Sequence, residues 1–130
     1  MLLEARFDQT DLSRARLSGA TLVSASLEKA YLARAEMEFA VMAKAVLRGA
    51  CLQAADMSGV LLDLGALTGA DLREANLRGA GFRDARLDAA DLRGARLGGA
   101  FLVRASLCGF ARRVFAFGKS GRRRFVRCQS

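Results

Sequence analysis

The chain has no histidine, no tryptophan and no proline, a single tyrosine and three cysteines among 130 residues. Without histidine it lacks the side chain that titrates nearest neutral pH, so ordinary general acid–base catalysis and imidazole metal sites lose their usual group. Without proline no backbone N–H is removed, which suits a fold in which every segment pairs with a neighbour. Cys51, Cys108 and Cys128 are odd in number and lack C-x-x-C spacing, so thiols are expected, with neither a disulfide framework nor a zinc site. No run approaches the ~20 apolar residues of a spanning helix, and Glu4 and Arg6 stand where a secretory leader needs an apolar stretch. The chain therefore reads as one cytoplasmic domain with no membrane span, no cofactor and no metal.

The formal charge of +8 is unevenly spread. The segment 108–130 holds seven bases and no acid, whereas residues 1–107 carry 14 bases against 13 acids. The body is nearly neutral and the tail is basic.

What the sequence does have is a period of five. From Leu2 to Leu107, every fifth position, 22 in all, is Leu, Met or Phe. Two residues before each of the last 21 stands Ala, except at Thr10, Val60 and Gly65. In an α-helix five residues advance the apolar position by about 140°, which leaves no single face to bury. In a flat strand an odd step alternates the faces. Both objections vanish if the chain bends once per repeat in a constant sense, so that Leu and Ala turn toward a common axis: a β-solenoid. Eight of the 13 glycines lie two residues after an apolar position, among them Gly19, Gly59 and Gly79. That is where a type II turn needs positive φ. Arg14, Lys29 and Glu74 share the position, so a mixture of turn types is expected.

Runs such as Ala70-Asp71-Leu72-Arg73-Glu74, Ala75-Asn76-Leu77-Arg78-Gly79 and Ala90-Asp91-Leu92-Arg93-Gly94 resemble the pentapeptide-repeat family, whose unit is A-(D/N)-L-x-x. The resemblance covers residues 2 to about 109 and implies an all-β, right-handed quadrilateral β-helix with four repeats per coil. At the ~4.8 Å spacing of paired strands this makes about five coils, a rod roughly 25 Å long. The family's Asp or Asn is replaced by Arg16, Val41, Leu61, Arg86, Arg96 and Phe101. This position faces outward, so the departures bear on the surface and not on the fold.

A 20-residue coil stacks Thr21, Val41, Leu61, Gly81 and Phe101 in one column, with Leu3, Val23, Ala43, Asp63, Arg83 and Val103 two residues further on. Phe39 occupies a corner otherwise held by glycine. Phe39, Val41, Leu61, Phe101 and Val103 thus form a candidate partner surface. The C-terminal segment divides from the repeats at 110. Phe110, Val114 and Phe117 follow helical spacing, so residues 110–117 are expected to form a short cap, followed by a basic tail. Arg122, Arg123, Arg124 and Arg127 are candidate anion contacts, although nucleic-acid binding is the weaker reading of a basic run. Gly118-Lys119-Ser120 lacks the earlier glycine of a phosphate loop, since position 113 is Arg. Glu36, Glu38 and Asp56 share one region and form a candidate carboxylate cluster, but no nucleophile with a base accompanies them, so no catalysis is expected.

Two functions are compatible with these features. The first is a non-catalytic scaffold or protein-binding module of unknown partner, with a homodimer through a solenoid end as one option. The second follows from the resemblance, because some family members mimic DNA and bind DNA gyrase. A duplex mimic calls for an acidic body, and this body is neutral, with outward arginines at Arg73, Arg78, Arg83, Arg86, Arg93 and Arg96.

Overall fold

The computed structural model describes residues 3–109. Throughout them a two-residue turn alternates with a short extended segment whose middle residue bridges, in parallel, to the residue 20 positions later: Arg6 to Ser26, Asp11 to Tyr31, Arg16 to Glu36, Thr21 to Val41. There is no helix among the described residues. Twenty residues hold four turns, so the chain winds with four faces per circuit. Face 1 is centred on Leu22, Met42, Leu62, Phe82 and Leu102, and face 2 on Phe7, Leu27, Leu47, Leu67, Leu87 and Leu107. Face 3 is centred on Leu12, Leu32, Leu52, Leu72 and Leu92, and face 4 on Leu17, Met37, Met57, Leu77 and Leu97.

These central residues, with the Ala two positions before each, form one continuous apolar core and are almost fully buried from Leu22 to Leu92. Phe7, Leu12 and Leu17 pack against it and are partly buried. Among the described residues no polar or charged residue is buried. The axis is therefore stabilised by apolar burial, each coil covering the next, as in other solenoids. Gly65 departs from the Ala pattern for a local reason. A methyl group there would stand 2.8 Å from the Leu62 carbonyl oxygen and 3.2 Å from Leu62 Cδ2.

The backbone is accounted for almost completely. Phe7 N–H donates to the Ser26 carbonyl at 2.7 Å, and Ser26 N–H donates back to the Ala5 carbonyl at 2.8 Å. Thr10 N–H closes the turn onto the Phe7 carbonyl at 3.1 Å, and Gln9 N–H reaches the next coil at the Glu28 carbonyl, 2.9 Å away. This set recurs along the described chain.

The expected mixture of turn types is not observed. The third residue of every turn has positive φ, whether it is Gly79 at 68°, Arg14 at 61°, Lys29 at 56°, Glu74 at 61°, Phe39 at 59° or Leu64 at 63°. Stacking explains the uniformity. The N–H of this residue bonds to the adjacent coil, as Arg14 does to the Ala33 carbonyl at 2.9 Å, so a turn of another type would break the register above it. The tertiary bond overrides a preference worth about 1–2 kcal/mol per non-glycine residue.

One N–H per repeat, on the residue after the central one, is outside this ladder, and in several repeats a side chain caps it. Asp11, Asp56, Asp71 and Asp91 accept from the N–H two residues on, at 3.0–3.1 Å, and Asn76 does so at 3.3 Å. This is the physical role of Asp or Asn before the central residue. Where that residue is Ser26, Gly81 or Ser106, an Asp from the previous coil takes over. Asp8 accepts from Glu28 N–H at 2.9 Å, Asp63 from Arg83 N–H at 3.0 Å and Asp88 from Cys108 N–H at 2.8 Å.

Candidate protein-binding face

Face 1, like face 2, lacks the Asp or Asn that caps turns on faces 3 and 4. Its bridging column runs Thr21, Val41, Leu61, Gly81, Phe101 through successive parallel bridges. β-Branched and bulky apolar side chains suit a pleated surface, but here they point outward. Leu61 is 46 % exposed, Phe101 52 % and Phe39, at the corner that leads into this face, 71 %. Val41 and Val103 are half-buried beside them. The structure thus places all five sequence-predicted residues on or at the edge of one face.

Two features of this face escape sequence reasoning. Leu64, at the opposite corner, is 54 % exposed and adds an apolar side chain at the far edge of the face. Its signal was an apolar residue at a turn position whose column otherwise reads Glu4, Ser24, Lys44, Asp84 and Arg104. The second is the surface of Gly81, which is buried. Leu61 Cδ2 would lie 3.4 Å and Asp63 Oδ1 3.1 Å from any methyl group placed on it. Arg83 completes the patch, its guanidinium carbon 5.9 Å from the centre of the Phe101 ring, a cation–π arrangement. Tyr31, also exposed, lies on face 3, away from the band.

The carboxylate cluster resolves into separate pairings. Glu36 faces Arg16 at 4.0 Å, Glu38 accepts from the Ser18 hydroxyl, and Asp56 accepts from Ser58 N–H, Ser58 Oγ and Asn76 Nδ2. Among the described residues no group of three or more His, Cys, Asp or Glu is placed to hold a metal ion. Cys51 is a thiol, half-buried on face 3.

The outward arginines are only partly free charge. Arg73 donates to Asp71 through Nε and Nη2 at 2.9 and 2.7 Å, and Arg93 repeats this with Asp91. The guanidinium of Arg73 holds the Asp71 carboxyl below its usual range, and Arg93 does the same to Asp91. Arg104 pairs with Asp84 at 2.7 Å and lowers its pKa likewise. Asp88 is also lowered: burial pushes it up, but bonds from the Ser106 hydroxyl and Cys108 N–H outweigh that. Each carboxylate is thus fixed in a structural role. The proposed capping helix at 110–117 and Arg122, Arg123, Arg124 and Arg127 lie outside the described residues.

A four-faced winding with an apolar axis, uniform turns and a 20-residue register defines a β-solenoid built of five-residue units. Eight copies of the pentapeptide repeats pattern match it, over residues 2–38, 20–59, 66–94 and 85–109, and the chain belongs to the pentapeptide-repeat family. Solved structures resemble it. Rfr23, a pentapeptide repeat protein from the cyanobacterium Cyanothece 51142, is 30 % identical with a TM-score of 0.66, over 66 % of this chain and 58 % of that one. HetL, from Nostoc sp. strain PCC 7120 and involved in heterocyst differentiation regulation, is 29 % identical with a TM-score of 0.66, over 85 % and 60 %. QnrB1, a plasmid-mediated fluoroquinolone resistance protein, shares the fold alone, at 18 % identity and a TM-score of 0.68 over 82 % and 55 %. The chain spans less than two thirds of the length of each. No curated protein sequence matches it. Among the described residues no helix is long and apolar enough to cross a membrane.

Proposed function

We propose that the chain is a non-catalytic protein-binding scaffold and that face 1 is its contact surface. The observation that carries this reading is the set of exposed Phe39, Leu61, Leu64 and Phe101, with half-buried Val41 and Val103, on one face of a solenoid many of whose polar groups serve its own turns. Exposed apolar surface of this kind has no role in a core already complete at the axis. Phe39 and Leu64 moreover hold positive φ, a conformation that costs a bulky residue energy and that glycine would adopt freely. The same reading includes a right-handed quadrilateral winding of about five coils over residues 1–109. It also includes a C-terminal unit of short helix and basic tail at 110–130, and a cytoplasmic setting. Affinity capture with the wild-type chain and with Leu61→Glu tests it. Loss of a specific protein partner with the variant is expected, and identical capture by both would remove face 1 as the contact surface.

A second reading is topoisomerase binding, favoured by the fold shared with a fluoroquinolone resistance protein. The near-neutral body, with most described carboxylates engaged by arginines or turn N–H groups, counts against a duplex mimic. A gyrase supercoiling assay titrated with the protein, with and without quinolone, decides it. Inhibition or drug protection at micromolar protein would support this reading, and no effect would end it.

A further inference from the structure

We infer that the last described rungs of face 4 form a phosphate-binding site, where Arg78, Arg96 and the bare N–H of Gly98 take the three oxygens of a phosphate monoester borne on a partner. The site is a second, charged surface and does not depend on the apolar residues of face 1. Elsewhere on face 4 the N–H after the central residue is capped from within. Ser58 N–H bonds to Asp56 at 3.1 Å and Arg78 N–H to Asn76 at 3.3 Å. One coil on, the capping position holds Arg96, and Gly98 N–H has no acceptor among the described residues. The Asp caps show that an anionic oxygen fits against this N–H at about 3 Å.

Arg stands at the capping position in three other repeats, and each of them meets a carboxylate of the chain itself. Asp8 follows Arg6, Asp88 follows Arg86, and Glu36 faces Arg16 at 4.0 Å. The Arg96 repeat has none. In place of the acid it has Gly98, the one glycine at that turn position among the described residues. Backbone conformation does not demand a glycine there, since its φ is not positive, and neither does space, since the nearest atom to a methyl group would be Arg78 Cγ at 3.8 Å. The same distance lays the Arg78 side chain over Gly98. Arg96 stands two residues before Gly98 on the same extended segment, roughly 6–7 Å away. Both side chains are exposed, and neither guanidinium has a hydrogen bond, ion pair or ring contact among the described residues. Glu74, whose Cγ would lie 3.2 Å from a methyl group at Gly94 on the adjoining corner, pairs with neither. Residues 99–130 contain no Asp or Glu.

Two positive charges and a backbone donor therefore lack an anion. A carboxylate brings two oxygens and one charge, whereas a phosphate monoester brings three oxygens and nearly two charges and matches both counts. Arg78, Gly79, Arg96, Gly98 and Gly99 are all exposed on a flat rung, without the concavity that encloses a small molecule. The phosphate is thus one presented by a partner, as on a phosphoserine.

The test is an amide NMR titration of the full chain near neutral pH, with inorganic phosphate and with a phosphoserine peptide. Gly98 N–H should shift and saturate with both, at about millimolar inorganic phosphate and at lower concentrations of peptide, while the equally uncapped Ser18 N–H stays still. Arg78→Gln and Arg96→Gln should each weaken binding about tenfold. Gly98→Asp, which gives this repeat the acid that Asp88 gives to the Arg86 repeat, should abolish it. None of the three should lower the melting temperature, because all three side chains point outward. A Gly98 N–H that does not move, that drifts together with Ser18 without saturating, or whose affinity is unchanged in the variants would overturn the inference. A DNA duplex that shifts Gly98 at lower phosphate concentration than the peptide would overturn the monoester, since each diester carries a single charge. Inorganic phosphate bound as tightly as the peptide would overturn the partner as its source.

Discussion

The ring of Phe39 lies against the backbone of Gly59, one coil on, so closely that a methyl group at Gly59 would stand 2.6 Å from ring atoms Cδ1 and Cε1. Gly59 and Gly69 have nearly the same φ, 66° and 69°, but nothing lies within 4 Å of a methyl group at Gly69. Gly69→Ala therefore measures the backbone cost alone, about 1 kcal/mol, whereas Gly59→Ala adds displacement of the ring. Gly59→Ala should be the more destabilising by about 0.5–1 kcal/mol in urea melts, within the range of small overpacking effects. Equal losses would show that the ring swings aside at no cost.

Ala54 holds a φ of 58° at a turn position with only a methyl group to lose. Ala54→Gly should raise stability by about 0.5–1 kcal/mol, the relief of the left-handed penalty less the greater unfolded-state freedom of glycine. An increase in melting temperature checks this; a decrease would mean that the stacked coil tolerates the side chain without strain.

How much of this architecture was legible in the sequence depends on whether a residue acts within its repeat or between coils. The axis was legible, since Leu2 to Leu107 recur every fifth position and burial demands a common direction. The glycine turns were legible too, but not that Arg14, Lys29 and Leu64 adopt the same conformation, because that follows from bonds to residues 19 positions away. The substitution of Asp63 for the missing cap at Gly81 was hidden for the same reason. Of the candidate surface, Phe39, Val41, Leu61, Phe101 and Val103 could be read from column arithmetic. Leu64 was missed, although it holds the same turn position as Phe39 and is the one apolar residue in its column; its place at the edge of face 1 follows from the direction of the corner after Leu62, which column arithmetic does not give.

Leu52 is completely buried, with its neighbours Leu32 and Leu72 in the same column. Leu52→Asp places a carboxylate among them with no partner, a cost of at least about 4 kcal/mol and enough to unfold a small domain. Loss of the native circular dichroism spectrum is expected; a native spectrum and unchanged melting would contradict the axial placement.

Acid should weaken the solenoid in a defined window. The carboxyls of Asp71, Asp84, Asp88 and Asp91 are held below the ordinary value of 3.8 in the folded chain. A depressed folded pKa means that the stabilisation is complete well above 3.8 and is lost as pH falls below it toward the folded value. Melting temperature should be flat from pH 7 to about 5 on this account and fall below about pH 4. Asp71→Asn should keep the turn cap, as Asn76 does at 3.3 Å, while losing the Arg73 pair, and so flatten part of the acid limb. An acid limb unchanged in this variant would assign the effect to the other carboxylates.

Every inter-coil backbone–backbone hydrogen bond of the described residues joins positions 19 or 21 apart, whether near Phe7 or near Leu87. The loop that must close to form a rung is therefore the same size wherever folding starts, and it does not grow as coils are added. Two adjacent circuits anywhere along the chain are a sufficient nucleus, and order spreads from them by one segment at a time in both directions. Its folding time should accordingly be set by the first pair of circuits and only weakly by the number that follow, in contrast to sheets whose partners are scattered through the sequence.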